Sequence, residues 1–179
     1  MSFLNVEIKA RCATPDAIRQ YLLTHDAEFR GLDQQTDTYF QVLNGRLKLR
    51  EGNIENNLIQ YNRPDQAGPK NSDFKLVKVP DAAGLKAALT ASLGIKVVVQ
   101  KKREIYFIGN VKFHVDEVPG LGSFVEIEAG NIGVGAGFDQ PALLQQCQHY
   151  MSELGIRDED LIQVSYSDML LAASEATNS

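Results

Sequence analysis

Glu126 and Glu128 flank Ile127 in the segment Phe124-Val125-Glu126-Ile127-Glu128, and Glu7, Lys9 and Arg11 alternate with Ile8 and Ala10. Successive side chains of a strand point to opposite faces, so each set shares one face. The two late glutamates then stand roughly 6.6 Å apart along their strand. Carboxylates at that spacing converge on a hard divalent cation when another strand supplies a partner. A solvated sheet face produces the same alternation, so the pattern elsewhere in the chain decides its weight.

That pattern recurs. Arg46, Lys48 and Arg50 lie together against Leu47 and Leu49; Asp73 and Lys75 oppose Phe74 and Leu76; Lys101 and Arg103 share a face. Lys112, His114 and Asp116 oppose Val111, Phe113 and Val115, while Arg63 shares its parity with Ile59 and Tyr61. Basic residues dominate the middle strands, and acidic ones gather in the first strand and the last two. Such segregation suits a polyphosphate, with Lys and Arg meeting phosphate oxygens and carboxylates holding a cation. His114, with a reference pKa near 6.5, is either a general base or a hydrogen-bonding residue of the same face.

The elements that must position these residues carry their own punctuation. Strands are predicted at about 3–12, 35–43, 46–51, 57–63, 73–79, 96–108, 111–118 and 123–129. Asn44-Gly45 and Gly109-Asn110 are two-residue hairpin signals, and Pro119-Gly120-Leu121-Gly122 separates the last two strands. Tight turns imply antiparallel neighbours, hence an α+β fold with helices packed outside a largely antiparallel sheet. Helices are expected from Pro15 to about His25, from Asp81 to Gly94 with Leu85, Ala88 and Leu89 buried, and from Asp139 to Gly155 with Leu143 and Cys147 buried. A C-terminal element must bury Leu161, Ile162, Val164, Tyr166, Met169 and Leu170, with a frayed tail over 174–179. The loop 64–72 reads as a lid or a linker. Gly130–Gly137 lacks the Gly-Lys-Ser/Thr of a phosphate loop and reads as a connector.

A chain of 179 residues fits a single domain, here 1–173. A formal net charge of -5 argues against a nucleic-acid partner but leaves room for an anion in a local basic pocket. No apolar run suggests a signal peptide or a membrane span, so the expectation is a cytoplasmic protein without a membrane partner. Cys12 and Cys147 read as buried free thiols.

Taken in order, these motifs resemble the CYTH superfamily, the triphosphate tunnel metalloenzymes, in its class IV adenylate cyclase-like branch. The superfamily's N-terminal Glu-x-Glu-x-Lys corresponds to Asn5-Val6-Glu7-Ile8-Lys9, with Asn5 in place of the first glutamate. Gly45–Glu51, Arg63, Lys75, Lys101-x-Arg103, His114-x-Asp116 and Glu126-x-Glu128 complete the match. The resemblance implies an eight-stranded, closed or nearly closed β-tunnel. It implies Mg or Mn held by Glu7, Asp116, Glu126 and Glu128, and phosphates held by Lys9, Arg46, Lys48, Arg50, Arg63, Lys75, Lys101 and Arg103. Lys9, His114 and Asp116 form the expected catalytic set. The implied activity is conversion of ATP to cyclic AMP and pyrophosphate. The alternatives are hydrolysis of thiamine triphosphate, inorganic triphosphate or a nucleotide, or polyphosphate binding without turnover, to which the uncharged Asn5 gives room. The branch also allows a homodimer.

Overall fold

The computed structural model describes residues 3–62, 68–131 and 139–177. Eight strands form a closed antiparallel barrel in the order β1-β5-β4-β3-β2-β6-β7-β8, with β8 returning to β1. They span Phe3–Arg11 (β1), Glu28–Phe40 (β2), Arg46–Glu51 (β3), Asn56–Asn62 (β4), Lys70–Lys78 (β5), Ile95–Ile108 (β6), Val111–Val118 (β7) and Gly122–Gly130 (β8). The helices are Pro15–Thr24 (α1), Ala82–Leu93 (α2), Gln140–Glu153 (α3) and Tyr166–Thr177 (α4). None is long and apolar enough to cross a membrane.

Alternation sorts the two faces of the closed sheet. Val6, Ile8, Ala10, Val111, Phe113, Val115, Val125, Ile127 and Ala129 face outward and pack with Ile18 and Leu22 of α1 and Leu143 and Cys147 of α3. Burying a side chain such as Phe113 contributes about 1.5–3 kcal/mol. The opposite parity of the same strands therefore points inward, which is where the charges go. Asp139 caps α3 by accepting from the Ala142 amide at 3.0 Å, and Asp81 caps α2 through Gly84 at 2.9 Å. The Gly109-Asn110 turn is the expected two-residue hairpin, with Gly109 at φ 57°.

Several expectations are corrected. β2 begins at Glu28, because residues 28–34 find their ladder on the far half of β6, with a bulge between Phe29 and Gly31. It ends at Phe40, so Asn44-Gly45 belongs to a longer connection and not to a two-residue turn. α2 buries no residue fully; Leu85 and Leu89 are only half-buried and Ala88 is exposed. β5 starts at Lys70, inside the segment read as a loop, while 63–67 lie outside the described residues, as does most of the glycine-rich connector. Helix continues through Thr177, past the start of the expected tail at Ser174.

The start of α4 and the segment before it plug the barrel, while residues 172–177 are exposed. Ile162 donates its amide to the Lys9 carbonyl at 3.0 Å, and Leu161 bridges Ala10. Ile162, Tyr166, Met169 and Leu170 then pack against the inward residues Tyr39, Tyr61, Val97, Val99, Val118 and Phe124. One end of the barrel is filled by this apolar wedge; Val164 stays 36% exposed, against expectation.

Candidate functional site

Inside the barrel lies a cavity of about 170 Å³ whose wall is divided by chemistry. β1, β7 and β8 contribute Glu7, Lys9, Lys112, His114, Glu126 and Glu128; β3 and β6 contribute Lys48, Arg50, Lys101 and Arg103; β4 and β5 contribute Asn57, Ile59, Tyr61, Phe74 and Leu76. The register explains the grouping, since directly opposed residues share a face. Glu7 opposes Glu128, Lys9 opposes Glu126, His114 opposes Glu126, and Lys48 opposes Ile59.

Glu7, Glu126 and Glu128 each place a carboxylate oxygen within 4.8 Å of the other two. Hard oxygen donors at that separation fit a divalent cation of the Mg, Mn or Ca type. Asn5 also lines the cavity, and its side-chain oxygen is buried without a hydrogen-bond partner among the described residues. A buried amide oxygen left without a partner is costly. It is available as a neutral ligand atom or as an acceptor for water. Burial pushes the Glu126 carboxyl up, but Lys9 and Arg103 outweigh it and hold the group well below the usual carboxylate range. The distances are 3.5 Å to Lys9 and 3.1 Å to Arg103.

Asp116 is not part of this cluster. Arg103 donates to both its oxygens, at 2.7 and 2.6 Å, and Tyr166 donates its hydroxyl at 2.8 Å. Its lone pairs are spent on orienting Arg103 and the plug. Arg46 does not line the cavity: it donates to Ser165 Oγ at 2.8 Å and to Asp168 at 3.0 Å, fastening the start of α4. Lys75 lies on the outer face and is exposed, because Phe74 and Leu76 face in opposite Tyr61 and Ile59. Arg63 lies outside the described residues. Lys9, by contrast, lies in the cavity, with its ammonium 3.9 Å above the Tyr166 ring.

His114 is 2% exposed, and neither ring nitrogen has a hydrogen-bond partner among the described residues. Nδ1 stands 4.0 Å from Glu126, beyond hydrogen-bond reach. Burial and the nearby Arg103 lower its pKa, favouring the neutral imidazole.

Two acids not singled out in the sequence organise the bases. Asp37 is 1% exposed and accepts from Arg50 at 2.9 Å through both oxygens and from Lys101 at 2.8 Å; Lys48 is 3.4 Å away. Burial raises its pKa, but Arg50, Lys101 and Lys48 together hold the carboxyl well below its ordinary value. Asp37 lies inside the strand expected at 35–43 and shares its parity with Gln35 and Tyr39, so the alternation that marks the other charged faces marks it too. Glu55 sits in a turn without periodicity, and no sequence signal marks it.

Three cations share the single carboxylate of Asp37, and the cost falls on Lys101. Burial lowers its pKa to about 7, with Asp37 opposing the shift and Arg50, Arg103 and Lys48 adding to it. Between about 7 and 10.4 the unfolded chain binds more protons at this lysine, so that component of stability rises with pH. Anion binding has the opposite sign, because a bound phosphate draws a proton onto Lys101. Affinity for a triphosphate should fall between pH 7.5 and 9.5, by up to roughly tenfold per pH unit, with proton uptake on binding. Phosphate itself titrates near about 6, below this window. Calorimetric titration in two buffers of different ionisation enthalpy measures the uptake. A flat profile in the wild type, or the same slope in Lys101→Met, would reject the assignment.

An antiparallel barrel with an inward carboxylate cluster facing inward bases defines a class of anion-binding tunnel. The CYTH domain model matches residues 4–166, and the chain belongs to the CYTH domain family. A protein of Methanocaldococcus jannaschii named as a candidate adenylate cyclase is 24% identical, over 93% of this chain and 98% of its own. The solved structure of the PH1012 protein from Pyrococcus horikoshii superposes with a TM-score of 0.75 at 22% identity, covering 94% of this chain and 98% of that one. A candidate adenylyl cyclase from Hippeastrum, described as having a dominant triphosphatase activity, superposes at 0.57 with 14% identity, covering 96% of each chain.

Proposed function

We propose that this protein is a divalent-metal-dependent enzyme acting on an organic triphosphate, with conversion of ATP to cyclic AMP and pyrophosphate as the leading activity. The observation that carries the reading is the Glu7, Glu126 and Glu128 cluster facing Lys48, Arg50, Lys101 and Arg103 across one plugged cavity. A Mg or Mn ion held by the three glutamates, with Asn5 as a neutral neighbour, would polarise phosphate oxygens and offset charge on the leaving group. Lys48, Lys101 and Lys9 bind phosphate oxygens as point charges, and Arg50 and Arg103 arrive already oriented by Asp37 and Asp116. Fixed positive groups aimed at developing charge need no reorganisation during reaction, which is where they count for most.

The apolar sector favours an organic substrate over bare inorganic triphosphate. Ile59, Tyr61, Phe74 and Leu76 offer no donor to a phosphate apart from the Tyr61 hydroxyl, and Leu76 faces the cavity while 43% exposed. A flat organic group attached to the phosphates has a surface to cover there.

A second reading, hydrolysis of the terminal phosphate, draws support from His114. Its buried ring, with neither nitrogen hydrogen-bonded among the described residues and its pKa lowered by burial, suits holding a water or accepting its proton. Incubation with ATP, thiamine triphosphate and inorganic triphosphate, each with Mg and with Mn, separates the readings. Cyclic AMP with pyrophosphate is the expected result; phosphate alone selects the triphosphatase. A raised melting temperature with no product from any substrate would leave a binding protein and overturn both.

A further inference from the structure

Glu55 reaches two cations on different strands from a turn. It sits in the β3–β4 connection, yet its carboxylate reaches Arg50 of β3 and Lys112 of β7, at 2.9 and 3.6 Å. β2 and β6 intervene between β3 and β7 in the ring, so this pair of contacts crosses the tunnel interior. Arg50 explains the geometry. Its Nε and one terminal nitrogen are committed to Asp37, and the remaining terminal nitrogen is the one Glu55 occupies. Lys112 and Glu55 are each about one-fifth to one-quarter exposed, at 24% and 21%, so the bridge lies where the cavity meets water.

The turn that carries Glu55 is held in place. Asp33, fully buried, accepts from the amides of Ile54 and Glu55 at 2.9 and 3.0 Å and from the Gln35 amide at 2.8 Å. Gly52 permits this approach, since a Cβ there would stand 2.5 Å from the Asp33 carboxylate. Gln35 also donates to Glu55 at 3.3 Å, linking clamp and bridge.

We infer that Glu55 is a resident anion standing where a phosphate group binds, that a triphosphate displaces it from Arg50 and Lys112, and that Asp33 is the residue positioning it. The inference rests on the triphosphate reading above. Two charge-assisted contacts must be broken before the polyanion takes the same cations, so Glu55 sets the affinity and disfavours weakly charged anions. A mono-anion cannot replace both contacts, whereas a triphosphate can.

The test is calorimetric titration of inorganic tripolyphosphate, without divalent cation, into the wild type, Glu55→Gln and Glu55→Ala. Both variants should bind at least fivefold tighter, and inorganic phosphate should gain proportionally more than tripolyphosphate. A gain in affinity cannot come from a damaged fold. Asp33→Asn should reproduce part of the gain, and adding it to Glu55→Gln should add nothing further. If Asp33→Asn does not fold, the Glu55 variants decide alone. Equal or weaker binding by both Glu55 variants, with normal wild-type binding, overturns this inference and leaves the functional reading standing. Absence of tripolyphosphate binding by the wild type overturns this inference, and the functional reading falls with it only if ATP with Mg also fails to bind.

Discussion

Glu128→Gln should lower metal-dependent turnover by roughly 10²–10³-fold while leaving the melting temperature nearly unchanged. The substitution keeps size and shape and removes one charge from the carboxylate cluster formed with Glu7 and Glu126. Glu128 is only half-buried, so its neutralisation leaves little uncompensated charge in the interior. Glu126→Gln should cost turnover as much or more, with a clear loss of stability besides. Its carboxylate balances Lys9 and Arg103, and both are buried. The pair of variants therefore separates cation binding from charge balance. Steady-state kinetics against Mg and Mn concentration, with melting curves for each variant, provides both readouts. Unchanged turnover in both variants would sink the assignment of this cluster to a metal.

Asp37→Asn should produce the largest loss of stability of any conservative change in the tunnel, about 3–5 kcal/mol. One carboxylate faces Arg50, Lys101 and Lys48, and the amide deprives buried Lys101 of its counter-charge and leaves Arg50 with Glu55. In a domain of this size that corresponds to a fall in melting temperature of roughly 6–20 °C. The pH dependence follows from the sign of the shift. Asp37 is held well below its ordinary pKa when folded, so its contribution is complete above about 4 and is lost as pH falls through the folded value. Added tripolyphosphate should recover part of the loss, because it supplies the missing anion to the same cations. An Asp37→Asn protein as stable as the wild type between pH 5 and 8 would show that the bases are solvated and not held by this carboxylate.

The inward charged faces of β1, β3, β6, β7 and β8 were legible because alternation is local: side chains two residues apart share a face whatever the partner strand. The same rule misplaced Lys75. Parity groups residues, but only the partner strand says which group faces in, and pairing with Ile59 and Tyr61 turned Phe74 and Leu76 to the cavity. Asp116 and Arg46 were correctly seen as charged face residues, yet their lone pairs and donors are consumed by Arg103, Tyr166, Ser165 and Asp168. α2 looked amphipathic in isolation but found no deep groove to fill.

By itself the amino-acid sequence determined the eight strands and three of the four helices, the turns at Gly109 and Gly120, the outer core under α1 and α3, and the pairing of Glu126 with Glu128 on one face. Each depends on interactions within a few residues, where spacing maps directly onto geometry. Closure of the barrel and the meeting of Glu7 with Glu126 and Glu128 were implied by the family resemblance and not by alternation, while tertiary structure alone decided the plug made by Tyr166 and the anchoring roles of Asp37, Asp116 and Glu55. These join residues far apart in the chain, and buried charges choose among several opposite partners only once distance and desolvation are fixed by the fold.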